Sequence, residues 1–330
     1  MLHFLATNHN FDPLNPIFIQ IGDSLSWHMY SLMIMTGLAI AIILGIREGA
    51  KLGISSNDII DGVIIVVPLS IIGTRLWYVA FEWDLYKNDL FGIFDLTKGG
   101  LAIHGGFITA FISVYFYTKF KKINFLSAFD ITAPGFLIAQ AFGRWGNFFN
   151  QEAHGGVIGG APKWDSSTTT ETMNAAWDTQ REFLSGRLHL PDFITNQMYL
   201  KGPDGLHYYH PTFLYESMWN IVGFIIMLVL RRTKLLKRGE LLPVYLIWYS
   251  IGRFFIEGMR TDSLYIGDSN FRTAQVISVL MIIAGVALFA VSRFVFKTKF
   301  YHEVLTEVAE ANAVSSDKIV KDNEEETPQK

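Results

Sequence analysis

The chain of 330 residues has no cysteine. That excludes disulfides, thiolate metal sites, iron–sulfur clusters and a covalent enzyme-thiol intermediate, and it leaves the redox compartment open. Charge is scarce as well. Only 17% of residues are Asp, Glu, Lys or Arg, against about 25% in soluble domains. The formal net charge is −3, so the broad basic field that attracts nucleic acid is missing and no nucleic-acid partner is expected. There is no H-E-x-x-H, phosphate-cradling or dinucleotide motif, so neither a metal nor a cofactor is implied. No Lys or Arg precedes Arg47. The first apolar run therefore lacks the basic flank of a cleaved signal peptide and is expected to be a retained span. No internal repeat is visible.

What the chain does have is apolar length: 50% of residues are hydrophobic and 15% aromatic. A bilayer core needs roughly 20 mostly apolar residues per helix. Runs of that kind lie near 26–46, 59–81, 100–118, 126–148, 211–230, 241–258 and 273–293. A soluble fold could not cover so many outward apolar faces. The expectation is an all-α, polytopic membrane protein with about seven transmembrane helices. Basic residues set its direction. Arg47, Lys51, Lys119, Lys121, Lys122, Arg231, Arg232, Lys234, Lys237, Arg238, Arg293, Lys297 and Lys299 fall on one side. Lys87, Lys98, Arg260 and Arg272 fall in the short segments on the other, the long loop at 149–210 being left out because long loops cross largely regardless of charge. This bias puts the N-terminus outside and the C-terminus in the cytoplasm. Residues 1–301 form the membrane domain, with one extracytoplasmic insert at about 149–210. Within the insert, Ala161–Gln180 is rich in Thr, Asp, Ser and Asn and is expected to be a surface excursion. The tail 302–330 is polar, carries Glu324-Glu325-Glu326, and is expected to be disordered in the cytoplasm.

Ionisable residues inside hydrocarbon are costly and tend to face a polar cavity. Here they are Arg75, His104, Arg144, Glu216, Arg253 and Glu257, with Tyr30, Gln140, Asn147 and Asn150 nearby. Under this topology all fall in the outer half of the bilayer, which reads as a polar cavity opening toward the outer leaflet. Tyr249, Arg253, Glu257 and Arg260 lie at i, i+4, i+8 and i+11, and Gln140, Arg144, Asn147 and Gln151 at i, i+4, i+7 and i+11. At about 100° per residue each set forms one stripe. Two helices thus each present an arginine, suited together to grip an anion such as a lipid phosphate. Plainer readings stand beside this one. Arg253 and Glu257 could be a structural ion pair, Arg75 could snorkel, Glu216 could pair with an arginine for folding, and His104 could be a satisfied buried histidine. Glycines flank His104 in Gly99-Gly100-Leu101-Ala102-Ile103-His104-Gly105-Gly106. They permit close approach by a ligand, or close helix packing. His3, His9, His28, His189 and His207 read as surface or packing residues. At the level of function these residues leave open a phospholipid-dependent transferase or phosphotransferase, a lipid or small-anion transporter, and a scaffold. A transporter usually shows a midplane site and internal symmetry.

Gly143-Arg144-Trp145-Gly146-Asn147-Phe148-Phe149-Asn150-Gln151-Glu152 resembles the signature of the bacterial prolipoprotein diacylglyceryl transferases. The likeness runs in order along the membrane portion. It takes in Trp27-His28-Met29-Tyr30, Gly73-Thr74-Arg75-Leu76-Trp77-Tyr78, His104-Gly105-Gly106, His210-Pro211-Thr212-Phe213-Leu214-Tyr215-Glu216, and the stretch from Tyr249 through Gly252-Arg253-Phe254-Phe255-Ile256-Glu257 to Arg260-Thr261-Asp262. Two features depart from the pattern. Gly155-Gly156 stands where many members have Gly-Arg, and the stretch 161–180 is enlarged.

The resemblance implies a reaction and its site. The family moves the diacylglyceryl group of phosphatidylglycerol onto the lipobox cysteine thiol of a preprolipoprotein signal peptide. A thioether forms and glycerol 1-phosphate leaves, as the first step of lipoprotein maturation. The expected place is the bacterial cytoplasmic membrane, with the site facing the outer leaflet and both substrates entering from the lipid bilayer. Arg144 and Arg253 match the family's arginines that would hold the phosphate and stabilise its departure. His104 matches a general base for the thiol, although an arginine-rich field could lower the thiol pKa unaided. Tyr30, Arg75, Gly105, Asn147, Asn150, Glu152, Gly155, Glu216, Tyr249, Glu257 and Arg260 are the expected substrate-binding residues.

Overall fold

A computed structural model describes residues 9, 13–22, 25–95, 99–162, 168–267, 269–295 and 298–325. His3, Lys98, Lys297 and Glu326, named above, lie outside the described residues, as does 163–167 of the insert. In chain order the elements are β1 (Ile17–Ile21), β2 (Leu25–His28), α1 (Met29–Lys51), α2 (Ser56–Phe81), α3 (Ile103–Phe120), α4 (Phe125–Phe149), α5 (Thr170–Glu182), β3 (Tyr199–Gly202), β4 (Gly205–Tyr208), α6 (Thr212–Leu230), α7 (Leu241–Met259), α8 (Thr273–Phe294) and α9 (Tyr301–Glu325). Short helical turns fill several of the connections.

The seven apolar runs coincide with α1, α2, α3, α4, α6, α7 and α8, each within a few residues. Helices are the expected form there, because only internal hydrogen bonds satisfy a backbone in hydrocarbon. Five of them, α1, α2, α4, α6 and α8, are long and apolar enough to cross a membrane. The polar residues of α3 (His104, Lys119) and of α7 (Arg253, Glu257) dilute the apolar signal of those two. The all-α expectation needs one amendment, because β1–β2 and β3–β4 form two small antiparallel hairpins.

The chain forms two compact units. The first comprises Met1–Ile40, Phe136–Met227 and Pro243–Phe289. In it the insert has its own core, built from Phe148, Val157, Trp177, Leu184, Met198, Tyr199, Tyr208, Tyr209 and Phe213. The stretch expected as a surface excursion is helical over its second half. Thr169 caps α5 by accepting from the Thr172 amide. Met173, Trp177, Gln180 and Leu184 recur at helical spacing, with Trp177, Gln180 and Leu184 buried. His9 and His207 are buried packing residues, and His28 and His189 are exposed.

Also in the first unit, α6 and α7 are locked by Trp219 and Trp248. Their rings stack at 4.4 Å and 15°. Each indole N–H donates to the other's backbone carbonyl, at 2.9 and 3.1 Å. Gly223 and Gly252 make room for the pair, since a Cβ at Gly252 would lie 2.3 Å from the Trp219 ring. Gly252→Ala is expected to force the ring aside and cost about 1–3 kcal/mol, seen as a lower unfolding midpoint in detergent.

The second unit comprises Ala41–Gly135, Leu228–Leu242 and Ala290–Lys330. Here α2 and α3 approach closely through small residues, as membrane helices do in the absence of a hydrophobic drive. A Cβ at Gly73 would lie 2.0 Å from Thr109 Oγ1, and one at Gly105 would lie 2.3 Å from the Gly73 carbonyl oxygen. The tail expected to be disordered is instead the helix α9 as far as Glu325. Its first turns are anchored. The Tyr301 hydroxyl donates to Glu48 Oε1 at 2.7 Å, Val304 is buried, and Val308 packs over Gly53. Glu48, itself buried, also pairs with Arg231 and Arg232. The Tyr301, Val304, Val308 stripe outweighs the acidic composition on which the disorder expectation rested.

Candidate functional site

Three helices of the first unit bring the two arginine stripes together. α4 ends where the insert begins, α6 starts where it ends, and Arg144, Glu216, Arg253 and Glu257 all lie at that end of their helices. Arg144 Nε stands 3.1 Å from Glu216 Oε1, and Arg253 Nη1 donates to Glu216 Oε2 at 3.1 Å. One buried carboxylate therefore bridges the two guanidinium groups. Arg253 Nη2 also stands 2.6 Å from Glu257 Oε2, the i,i+4 pair on its own helix. The lock between Trp219 and Trp248 holds α6 and α7 in the register that this pairing needs, and Ser217 Oγ donates to the Ala141 carbonyl across α6 and α4.

A guanidinium has five N–H groups. Among the described residues these contacts occupy only some of them on Arg144 and Arg253, which leaves donors for an incoming anion. Tyr249, Tyr30 and Arg260 lie within electrostatic reach of Arg144. The Tyr30 ring rests on Gly146, where a Cβ would come within 2.5 Å of it. Tyr249 stacks on Tyr245, whose hydroxyl accepts from Gln140 Nε2 at 2.9 Å.

The turn after α4 extends the network. Arg144 Nη1 donates to Asn147 Oδ1 at 3.2 Å, and Asn147 Nδ2 donates to Glu152 Oε1 at 2.9 Å. Asn150 reaches the same oxygen at 3.2 Å. Asn147 is thus a relay that fixes the arginine against an exposed carboxylate. Gly155 is buried and bridges Arg260 through the backbone. A side chain there would strike His210 at 2.8 Å. Arg260 itself grips Asp262 with two hydrogen bonds, of 2.9 and 2.7 Å.

That grip holds the Asp262 carboxyl below its ordinary value. A carboxylate with a lowered pKa contributes stability that is complete above its unfolded value, near roughly 4, and is lost as pH falls through the lowered one. The difference in unfolding midpoint between the protein and Asp262→Asn is therefore expected to be constant from about pH 5 to 9 and to vanish in stronger acid. Asp262 is a partner that the sequence reading did not place in the site. Its signal in the sequence is its place at the end of the Arg260-Thr261-Asp262 stretch of the resemblance, two residues beyond Arg260.

The second unit holds His104 and Arg75. His104 lies in the first turn of α3 and is exposed, not buried in a core. The glycines after it, Gly105 and Gly106, are buried against Trp77 and Thr74 of α2. Arg75 is buried but makes no anion-ready fork. Its Nε donates to the Ile93 carbonyl at 2.8 Å, Nη1 to Gly99 and Gly100 at 2.7 and 3.0 Å, and Nη2 to Gly92 and Asp95 at 2.7 and 2.9 Å. All five N–H groups are engaged, so Arg75 neither snorkels nor has a donor left for a substrate. Tyr30, Arg144, Asn147, Glu216, Tyr249, Arg253, Glu257 and Arg260 converge within the first unit, whereas Asn150 and Glu152 sit on its exposed side.

Comparison with known proteins identifies the family. The family model for prolipoprotein diacylglyceryl transferase matches residues 16–291. Curated relatives carry the name phosphatidylglycerol–prolipoprotein diacylglyceryl transferase. The one from Listeria monocytogenes serotype 4a (strain HCC23) is 47% identical over 291 residues, 88% of this chain and 94% of the relative. The one from Halalkalibacterium halodurans is 45% identical over 278 residues, 84% and 86% of the two chains. That of Bacillus licheniformis is 44% identical over 287 residues, 87% and 96% of the two. The match takes in every long helix from α1 to α7 and most of α8, and with them both arginine stripes and the His104-Gly105-Gly106 turn: the chain belongs to the prolipoprotein diacylglyceryl transferase family.

Proposed function

We propose that this protein transfers the diacylglyceryl group of phosphatidylglycerol to the lipobox cysteine of preprolipoproteins. The thiol gives up its proton, the thiolate attacks the glyceryl carbon, the C–O bond to phosphate breaks, a C–S thioether forms, and glycerol 1-phosphate leaves; the proton passes from the base to the released phosphate or to water. The observation that carries this reading is the convergence of Arg144 and Arg253 on Glu216, with N–H groups left over on both among the described residues. Charge grows on the departing phosphate, and pre-aligned guanidinium donors in a water-poor setting stabilise that growth. Tyr30 and Tyr249 shape the walls beside Arg144, Asn147 holds its direction, Arg260 adds positive charge beside it, and Glu257 sets the charge around Arg253. In this reading the site opens to the outer leaflet of the bacterial cytoplasmic membrane. Both substrates arrive laterally, and residues 1–301 do the work.

The test is direct. Purified protein is incubated with phosphatidylglycerol and a lipobox peptide. Release of glycerol phosphate is expected with the cysteine peptide and not with its serine counterpart. Equal release with both peptides would point to a phospholipase or another transferase instead.

His104 is proposed as the base. Free imidazole titrates near roughly 6.5 and a free thiol near roughly 8.5. His104→Gln is expected to lose about 10²–10⁴-fold in turnover near neutrality and to recover part of it as pH rises and thiolate forms spontaneously. An undiminished rate across about pH 6–9 removes His104 from the role and leaves thiol activation to the arginine field.

A further inference from the structure

Among the described residues Arg75, a buried cation, has backbone carbonyls where a buried cation usually has a carboxylate. Its hydrogen bonds among the described residues all go to backbone carbonyl oxygens of one connection, Gly92, Ile93, Asp95, Gly99 and Gly100. The side chain is 5% exposed, and the Tyr86 ring lies 5.1 Å from the guanidinium carbon. The connection is shaped for it. Gly99 and Gly100 both have φ of +75°, the left-handed region where side chains are strained. A Cβ on Gly100 would stand 2.7 Å from Arg75 Nη1 and 2.6 Å from the Tyr78 ring.

Directly after this pair the chain enters α3. The Ala102 amide donates to the Thr74 carbonyl at 3.0 Å, and Gly105 and Gly106 press on Gly73, Trp77 and Thr74. The residue next to Arg75 thus receives the start of α3, while Arg75 folds the strand of chain that delivers it. No side chain caps the N-terminus of α3. Its start is fixed by these contacts instead, and His104 is its second residue.

We propose that Arg75 is a positioning residue for the transfer reaction. By gathering five carbonyls of Gly92–Asp95 and Gly99–Gly100 it fixes the entry of α3, and through it the place of the His104 imidazole, without touching the lipid. This rests on the transferase reading above and deepens it. The neutral carbonyl cage also accounts for the residue type. Lysine has the charge, but its three donors radiate from one nitrogen and cannot reach five acceptors spread around a planar fork.

Arg75→Lys and Gly100→Ala test the idea from the two sides of the same contact. Turnover is measured per molecule that still binds phosphatidylglycerol, so loss of folded protein does not count. Both variants are expected to lower kcat by about 10²-fold, the cost of misplacing a reacting group by about an ångström, while KM for phosphatidylglycerol stays within about twofold. In both, the amides of Gly92–Asp95 and Gly99–Ala102 are expected to exchange faster with solvent deuterium. A rise in KM with kcat kept makes Arg75 a lipid ligand and overturns the proposal, as does full activity of Arg75→Lys. If the unsubstituted protein transfers nothing from phosphatidylglycerol, the transferase reading fails. The exchange measurement still decides whether Arg75 organises the connection.

Discussion

Arg144→Ala and Arg253→Ala are each expected to reduce transfer by about 10²–10³-fold or more, the loss seen when one preorganised donor to a developing anion is removed. The two do not fail alike. Arg144 leaves behind Glu216, which keeps Arg253 as its partner at 3.1 Å, so the packing around α6 survives and the loss is mainly catalytic. Arg253 leaves behind two buried carboxylates, Glu216 and Glu257. Glu257 then loses its near guanidinium. Breaking a buried pair in this way costs roughly 3–5 kcal/mol, and the uncovered negative charge repels the lipid phosphate. Arg253→Ala is therefore expected to raise KM for phosphatidylglycerol, lower kcat and depress the unfolding midpoint, where Arg144→Ala mostly lowers kcat. Glycerol phosphate release and thermal unfolding in the same detergent preparation separate these effects. Wild-type turnover in both variants would sink the phosphate-clamp assignment.

The two stripes were legible in the sequence because each lies within one helix, where spacing alone decides which side chains share a face. Their meeting point was not. Glu216 sits on a third helix, and nothing in its own segment distinguishes a folding partner from a site residue. Its role follows from the register of α6 against α7, set by Trp219 and Trp248 over Gly223 and Gly252. Arg75 shows a different limit. An arginine near the end of an apolar run invites an anion as its partner, yet its partners here are carbonyl groups, which every residue has and no sequence pattern marks. The α5 and α9 helices are hidden by composition, because polar residues outnumber the periodic apolar ones in both segments. Met173, Trp177 and Gln180 in one, and Tyr301, Val304 and Val308 in the other, are helical stripes hidden among polar neighbours. The long apolar helices were found within a few residues, since a bilayer imposes a length that short polar breaks cannot disguise.

Glu216 gives the second large effect, and it has the opposite sign in binding. Its carboxylate occupies the space between Arg144 and Arg253, so it both aligns the guanidinium groups and competes with any arriving phosphate for their protons. Glu216→Gln keeps the shape but presents one acceptor and one donor. The amide N–H then faces an arginine N–H, one guanidinium swings away, and kcat is expected to fall by about 10²-fold. Removing the negative charge meanwhile strengthens attraction for the lipid, so KM for phosphatidylglycerol is expected to fall with it, the pattern of a lost constraint and not of a lost ligand. Glu216→Ala leaves two like charges unbridged in a buried place and is expected to cost roughly 3–5 kcal/mol of stability, read as a collapse of the unfolding midpoint before activity is considered. The amide variant is the informative one because it separates alignment from folding. If it turns over at the wild-type rate with an unchanged KM, Glu216 serves only as a counter-ion for assembly, and the alignment of the two arginines must come from Asn147 and Glu257 instead.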